Sequence, residues 1–152
     1  MSRTAAAYRE PGKELTKMNK IVDSSFGEME YRHGWTKRQK IMFWGETREI
    51  KIKATAYTGD DITQSQRDSY KHFAENITAI TARSLELVAD YLKNNNEQSD
   101  YETVKNLIKP RSVLFKRDGS YGILCDYALD EEHGLVICMS PKEEVGMQDI
   151  FI

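Results

Sequence analysis

One short segment of the sequence, residues 126–133, collects carboxylates and an imidazole. Its titratable side chains are Asp126, Asp130, Glu131, Glu132 and His133. Carboxylate oxygens and a neutral imidazole can bind a divalent cation, and paired carboxylates can perform acid–base chemistry. The same pattern is typical of a solvated hairpin tip, because consecutive residues of an extended segment point in alternating directions. Asp126, Asp130 and His133 are therefore candidate metal, metabolite or catalytic residues, with a hairpin tip as the alternative interpretation.

Basic and aromatic residues interleave over a second segment, residues 32–44. Its basic side chains are Arg32, Lys37, Arg38 and Lys40, and its indoles are Trp35 and Trp44. Cations that contact phosphates next to rings that stack on bases are typical of nucleic-acid binding. In the alternative interpretation the tryptophans anchor the core, and the cations form a solvated strand face that discourages edge-to-edge aggregation. The net charge of −2 disfavours a nucleic-acid partner, and we keep Trp35 and Trp44 as candidate binding residues.

Motifs that would identify a catalytic or cofactor site are not found in the sequence. It contains no glycine-rich phosphate loop, no His-Glu-x-x-His, no Gly-x-Ser-x-Gly and no EF-hand spacing. Cys125 and Cys138 do not form a Cys-x-x-Cys pair, and both lie in apolar runs. This favours two buried, reduced thiols over a hairpin disulfide. We therefore expect no cofactor and no firm metal site, and we favour a non-catalytic role while leaving enzymatic activity open.

Length and composition are typical of one globular domain. The chain has 152 residues, of which 39% are hydrophobic and 30% are charged. No apolar run approaches the roughly 18 residues of a membrane-spanning helix, and Met1–Lys20 lacks the apolar centre of a secretory signal. We predict a cytoplasmic protein without a membrane partner, in which residues 1–19 form a flexible N-terminal extension and residues 20–152 a single α+β domain.

Period-two alternation predicts a β-hairpin in the first half of the chain. Trp35–Phe43 alternates loosely and Thr47–Tyr57 strictly, with a turn at Gly45 between them. In the second strand the apolar side consists of Ile50, Ile52, Ala54 and Ala56, and the polar side of Glu49, Lys51, Lys53 and Thr55. The apolar face of such a hairpin must be covered by another element.

A helical segment that can cover this face follows. Thr63 and Gln66 have the spacing of a capping box, and apolar residues recur every three or four positions over residues 70–92. We predict one long helix from Thr63 to about Lys93, with a kink near Asn76.

The remaining strands lie towards the two ends of the chain. We predict them at residues 21–22, 26–31, 112–116, 121–127, 134–139 and 144–152. A short helix that begins at Ser99 or Asp100 and ends near Ile108, just before Pro110, precedes the C-terminal group. The predicted fold is α+β, with an antiparallel sheet from the N- and C-terminal strands packed against one long and one short central helix.

Charge is distributed unevenly along the chain. Residues 31–53 carry seven basic and two acidic residues, whereas residues 128–149 carry one basic and six acidic residues. Such asymmetry favours both the steering of a charged partner and pairing within the chain. Eight tyrosines and two tryptophans add residue types that favour protein interfaces. We therefore expect a protein partner, with a second copy of the same chain as an alternative.

Three stretches of the sequence form an ordered pattern over about residues 26–152. They are Trp35 through Ile41-Met42-Phe43-Trp44-Gly45 to Ile50-Lys51-Ile52; Asp61-Ile62-Thr63-x-x-Gln66-x-x-x-Tyr70-x-x-Phe73; and Phe115-Lys116-Arg117-Asp118-Gly119-Ser120-Tyr121-Gly122-Ile123-Leu124-Cys125-Asp126 with Glu132-His133-Gly134-Leu135 and Val145-Gly146-Met147-Gln148-Asp149-Ile150. Together they resemble a bacterial family of domains of unknown function. The chain departs from the family pattern at Trp44, and at Met147, where proline is expected.

The resemblance implies a small cytoplasmic protein and offers no catalytic residues to carry over. Some members of the family resemble immunity or accessory proteins of bacterial toxin systems, which implies a protein partner. We therefore predict a protein-binding module, immunity-like or accessory to a toxin system. One alternative is a small metal- or metabolite-binding protein or enzyme that uses the acidic 126–133 loop. The other is nucleic-acid binding through the basic 32–44 hairpin.

Overall fold

The computed structural model describes residues 19–152, which form one eight-stranded sheet and three α-helices. The strands are β1 (Lys20–Asp23), β2 (Gly27–Tyr31), β3 (Trp35–Phe43), β4 (Glu46–Ala54), β5 (Ile108–Phe115), β6 (Tyr121–Tyr127), β7 (Leu135–Ser140) and β8 (Glu144–Gly146). The helices are α1 (Gln64–Glu75), α2 (Ile77–Asn94) and α3 (Tyr101–Leu107), and a 3-10 turn (Gln148–Ile150) follows β8. The fold is α+β, and the sheet dominates it. The predicted flexible extension covers residues 1–19, of which residues 1–18 lie outside the described residues, and the carbonyl of Asn19 accepts from the N–H of Tyr31.

The strands lie in the sheet in the order of the sequence, from β1 to β8. All neighbouring pairs of described strands are antiparallel except β4 and β5, which are parallel. The sheet is therefore mostly antiparallel, and the β4–β5 junction departs from the predicted antiparallel sheet. The helical connection is the reason, because a chain that leaves β4, crosses through helices and re-enters beside β4 runs in the same direction again.

The predicted long helix is two helices, so the helical layer contains three helices rather than one long and one short. The capping box at Thr63 and Gln66 is confirmed at the start of α1. Asn76 separates α1 from α2, because its amide Nδ2 donates to the carbonyl of His72 at 2.9 Å and its backbone, with φ of −124°, leaves the helical region. The short helix α3 begins after Asp100, whose carboxylate accepts from the N–H of Thr103.

The main core lies between the sheet and the helices. The apolar side predicted for β4 is buried there with Ile50 and Ile52, and Ile41 and Phe43 of β3 are buried beside it. An aromatic group joins the helices to the sheet, with ring centroids 4.4 to 6.5 Å apart. Its members are Phe26, Tyr70, Phe73, Phe115 and Tyr121. Because side chains alternate along a strand, this core also fixes which residues face outward on the other side.

The C-terminal residues cover part of that other side. A second, smaller apolar cluster consists of Leu114, Val136, Cys138 and Phe151. The edge strand predicted for residues 144–152 is only three residues long. The chain then leaves the sheet edge in the 3-10 turn, where Gln148 Nε2 donates to the carbonyl of Cys125 at 3.0 Å.

β5 begins earlier than the sequence pattern predicts, at Ile108 rather than Ser112. It includes Pro110, which the sequence indicates as a boundary. Proline has no N–H to give to the ladder, and the register shifts between Pro110 and Ser112. The pairing of β5 with β4 begins only at Ser112, so Pro110 pairs with β6 alone and lies at a bulge, where a strand tolerates proline.

The two cysteines are buried and free. Cys125 belongs to the main core on the helix side, and Cys138 to the smaller cluster on the other side. Burial raises the pKa of both thiols, so neither is activated as a nucleophile. None of the helices within residues 19–152 is long and apolar enough to cross a membrane.

Candidate functional site

The side of the sheet opposite the helices carries the candidate functional surface. Arg38 of β3 lies opposite Lys51 of β4, and Lys51 lies beside Ser112 of β5. The next row of the sheet contains Thr36, Lys53, Leu114 and Gly122. We call this surface, over β3 to β6, the open face.

Five cations lie on the open face: Arg38, Lys40, Lys51, Lys53 and Lys116. Arg38 pairs with Glu49 at 3.9 Å. The four lysines form no ion pair within residues 19–152. Like charges that face each other across strands, as Arg38 and Lys51 do, destabilise a sheet. The open face therefore holds more positive charge than the described carboxylates around it neutralise.

Lys53 is held against the sheet. Its side chain runs over Gly34, where a Cβ atom would lie 2.8 Å from Lys53 Cε. Gly34 also has a φ of 137°, a conformation that favours glycine. Burial lowers the pKa of the Lys53 ammonium below its ordinary value, and the charge of Lys51 lowers it further. A partly desolvated cation beside a like charge is stabilised when an anion binds next to it.

A groove of about 730 Å³ runs along β5 on the open face and is open to solvent. Its floor is formed by Ser112 and Leu114, one wall by Lys51 and Lys53, and the other wall by Leu124 and Ile152. Gly122 lies opposite Leu114 on β6 and adds no side chain to the floor. The groove thus has one cationic wall and one apolar wall, and its volume is in the range of about 300–1,000 Å³ typical of ligand sites.

Lys116, Arg117 and Asp118 close one end of the groove. Lys116 Nζ lies 4.1 Å from the ring centroid of Phe151, which places its charge beside the smaller apolar cluster. Asp118 accepts hydrogen bonds from the hydroxyl and the N–H of Ser120, which lower the pKa of its carboxyl. The carboxylate of Asp118 is therefore engaged in its own turn, and the lysine beside it stays without an ion-pair partner among the described residues.

The residues that cap α1 fix the strand ends at this site. Gln66 is fully buried, and its Nε2 donates to the carbonyls of Thr55 at 2.9 Å and Phe115 at 3.0 Å. Thr63 Oγ1 donates to the carbonyl of Arg117 at 2.8 Å. The start of α1 therefore holds β4 and β5 together where they end, next to Lys53 of β4 and to Lys116, which follows β5.

The structure places the two candidate tryptophans in the core. Trp35 is 5% exposed, and its indole N–H donates to the carbonyl of Asp60 at 2.8 Å. Trp44 is 6% exposed, and its N–H donates to Thr81 and Ser84 of α2. Both rings are therefore largely enclosed by the fold, and Trp44 also lines a cavity with Ile77 and Tyr101.

The basic 32–44 segment does not form one surface. Lys37 points to the helix side, where its Nζ donates to the carbonyl of Phe26 at 2.5 Å and the hydroxyl of Tyr70 at 2.7 Å. Arg32 pairs with Glu30 at 3.1 Å. Of the basic residues of this segment, only Arg38 and Lys40 contribute to the open face.

The three candidate residues of the acidic loop fall into two separate groups, Asp126 in one and Asp130 with His133 in the other, where His133 Nε2 also lies 3.6 Å from Glu132. Asp126, on β6, pairs with Arg111 at 2.5 Å. Asp130 accepts from His133 Nδ1 at 2.9 Å, and this contact raises the pKa of the imidazole and lowers that of the carboxyl. Within residues 19–152, no group of three or more histidine, cysteine, aspartate or glutamate side chains is arranged to hold a metal ion.

Sequence reasoning assigned Lys51 and Lys53 to a solvated strand side and did not select them as site residues. Their spacing of two on an alternating strand is a signal for a shared face. Their neighbours on β5 depend on the parallel junction, which the local pattern does not specify. Leu124 and Ile152, which complete the groove, lie far from the lysines in the sequence.

A family model described as "Domain of unknown function (DUF6985)" matches residues 25–152. The searches found no matching curated protein and no matching solved structure.

Proposed function

The chain belongs to the DUF6985 family of domains of unknown function, and we propose that it is a protein-binding module whose open face holds an acidic surface of its partner. The observation that carries the proposal is the set of Lys51, Lys53 and Lys116. They line the same solvent-open groove and form no ion pair within residues 19–152. A face that keeps like charges together at the expense of stability is complementary to negative charge.

The size of the open face supports a protein as the partner. Four strands spaced by about 4.8 Å and about 3.3 Å per residue along the nine residues of β3 give a projected area of roughly 600 Å². A stable protein interface buries about 800 Å² on each partner. The open face and the residues at its rim are therefore sufficient for an interface of ordinary size.

The composition of the open face favours protein over nucleic acid. The apolar wall of Leu124 and Ile152 complements an apolar side chain, and a phosphodiester backbone has no such group. Trp35 and Trp44 are buried, so neither can stack on an unpaired base. The acidic residues near the C-terminus would also repel phosphates.

The resemblance of the sequence to a bacterial family, some members of which are immunity-like, extends the proposal. In this form, the partner is a toxin or a component of a toxin system, and the protein neutralises it in the bacterial cytoplasm by covering its acidic surface. The small size of the domain and the lack of catalytic motifs in the sequence support a role in which the protein acts by binding its partner and covering the partner's surface.

The proposal is tested by capture from a lysate of the source cells with the tagged chain and a charge-reversal variant, Lys51→Glu/Lys53→Glu. The matched control is Lys71→Glu/Lys93→Glu, which makes the same change in net charge at exposed positions on α1 and α2. We expect one acidic protein, identified by mass spectrometry, to be retained by the native chain and by the control, but lost with the open-face variant. Its retention should fall as salt increases and resist nuclease.

Three outcomes would overturn the proposal. A partner lost equally with both variants depends on net charge and not on the open face. A partner lost after nuclease treatment points to nucleic acid. If no protein distinguishes the two variants, the open face does not bind protein.

A further inference from the structure

We propose that the groove along β5 binds an extended segment of the partner in which acidic and apolar residues alternate. This inference rests on the proposed function, since it names the chemistry of the partner at the same surface. The inference depends on the difference in polarity between the two walls of the groove, which is lined by Lys51 and Lys53 on one side and by Leu124 and Ile152 on the other.

The distance between Lys51 and Lys53 determines how far apart the acidic side chains of a bound partner segment must be. Lys51 and Lys53 are two residues apart on one strand, and alternate residues of an extended chain repeat by about 6.6 Å. An extended partner that lies along the groove repeats its side chains by the same distance and points them alternately to either wall. Acidic residues at every second position therefore face the lysines, and the residues between them face Leu124 and Ile152.

The length of the groove limits the segment to a few residues. From Ser112 to Lys116 at its end, the groove spans four residue-to-residue steps of an extended chain, or about 13 Å, which accommodates four or five residues of a bound segment. Lys116 and Arg117 lie at one end of the groove and provide charge for a further carboxylate there.

Recognition in this groove depends on side chains. β4, β5 and β6 each have a neighbouring strand on both sides, so their ladder hydrogen bonds are already used. A partner therefore cannot add a strand beside them, and main-chain pairing cannot supply the affinity. The order of acidic and apolar side chains decides whether a segment fits.

The test compares fluorescein-labelled hexapeptides by fluorescence anisotropy with the full chain. The alternating probe is Glu-Val-Glu-Val-Glu-Val, and the block probe Glu-Glu-Glu-Val-Val-Val has the same composition and charge. We expect the alternating probe to bind at least about tenfold more tightly. Lys51→Glu/Lys53→Glu should lose this binding by about the same factor and acquire binding of Lys-Val-Lys-Val-Lys-Val.

The apolar wall is tested by Leu124→Ala and by Ile152→Ser. Ile152 is 67% exposed, so its substitution does not threaten folding, and thermal unfolding checks both variants. Each should reduce the preference for the alternating probe, while an alternating Glu-Ser hexapeptide should bind equally weakly to native and variant chains.

The outcomes separate this inference from the proposed function. If both probes bind native protein equally, or neither binds, the alternating-segment inference is overturned; capture of a partner that depends on the open face would still support the proposed function. If the alternating probe is preferred but no partner is captured through the open face, the groove specificity stands and the proposed function fails.

Discussion

The side-chain amide of Gln66 donates a hydrogen bond of 3.0 Å to the carbonyl of Phe115, the last residue of β5. The same Nε2 donates to the carbonyl of Thr55, just after β4, and Oε1 accepts from the N–H of Thr63. One buried amide thus begins a helix and joins the ends of the parallel strands. The groove lies on the other side of this junction.

Replacement of Gln66 by leucine should reduce the free energy of unfolding by about 2–3 kcal/mol. Leucine keeps the approximate volume but removes the three hydrogen bonds of the buried amide, to the carbonyls of Thr55 and Phe115 and from the N–H of Thr63. The carbonyl of Phe115 keeps the N–H of Thr55 as a donor, so the expected loss is that of three buried hydrogen bonds at about 0.5–1.5 kcal/mol each. Urea denaturation measures the change. The exposed neighbour Gln64 provides the control, since Gln64→Leu should change stability by less than about 0.5 kcal/mol. Equal effects of the two substitutions would contradict the role given to the Gln66 amide.

Lys51→Glu should stabilise the chain while it abolishes binding at the open face. The new carboxylate lies directly opposite Arg38, and an opposite-charge pair across strands contributes about 0.2–1 kcal/mol. Thermal unfolding at low salt should show the gain, and the gain should diminish as salt is added. Loss of stability instead would mean that Lys51 contributes to the fold, and the interpretation of its charge as functional would be wrong.

Asp23 should make stability depend on acidic pH. Burial raises the pKa of its carboxyl, but hydrogen bonds from the N–H groups of Phe26 and Ser25 and from Arg67 outweigh burial, and the pKa lies below its ordinary value. A lowered folded-state pKa stabilises the protein fully above the unfolded value of about 3.9, and this contribution is lost as pH falls through the folded value.

We therefore expect Asp23→Asn to lower the free energy of unfolding by about 2–3 kcal/mol at pH 7 and by less near pH 3. Urea denaturation at the two pH values gives both numbers, and Asp90→Asn at an exposed site is the control. If Asp23→Asn destabilises the chain equally at both pH values, the carboxylate is not the source of the stabilisation.

His133 should titrate above its ordinary pKa of about 6.5 because Asp130 accepts from its Nδ1. This contact stabilises the folded chain below the unfolded pKa and is lost as pH rises through the folded value. NMR titration of the ring protons should show the raised pKa of His133 in the native chain and a lower one in Asp130→Asn. Broadening of the His133 signals by stoichiometric Mn²⁺ would instead support a metal site at the acidic loop.

The parts of the fold that local pattern specifies could be predicted from the sequence. The alternation of Ile50 and Ile52 with lysines gave the correct buried side of β4, and Thr63 with Gln66 gave the start of α1. Each of these signals depends on residues within one turn of helix or along one strand. The end of α1 at Asn76 was predicted only as a kink. The side chain of Asn76 bonds back to the preceding turn, and the apolar pattern of the sequence continues through this position.

The candidate site could not be predicted in the same way. Lys53 and Leu114 become neighbours only through the parallel register of β4 and β5, which depends on how the helices return the chain to the sheet. For Trp44 the error went the other way. Its residue type suggested a binding residue, but contacts with α2 bury it. Composition indicated a charged surface, and topology determined which charges share it.

The parallel junction also has a consequence for the order in which the molecule folds. β1 to β4 and β5 to β8 each pair between neighbours in sequence, so both halves are rich in short-range contacts that form rapidly. The β4–β5 pairing closes a loop that contains all three helices and must overcome a larger closure entropy. The cationic wall of the groove belongs to the half that contains β1 to β4, and the apolar wall to the half that contains β5 to β8. A molecule that contacts both walls therefore stabilises the β4–β5 pairing, the contact that we expect to form last. Its binding should slow unfolding.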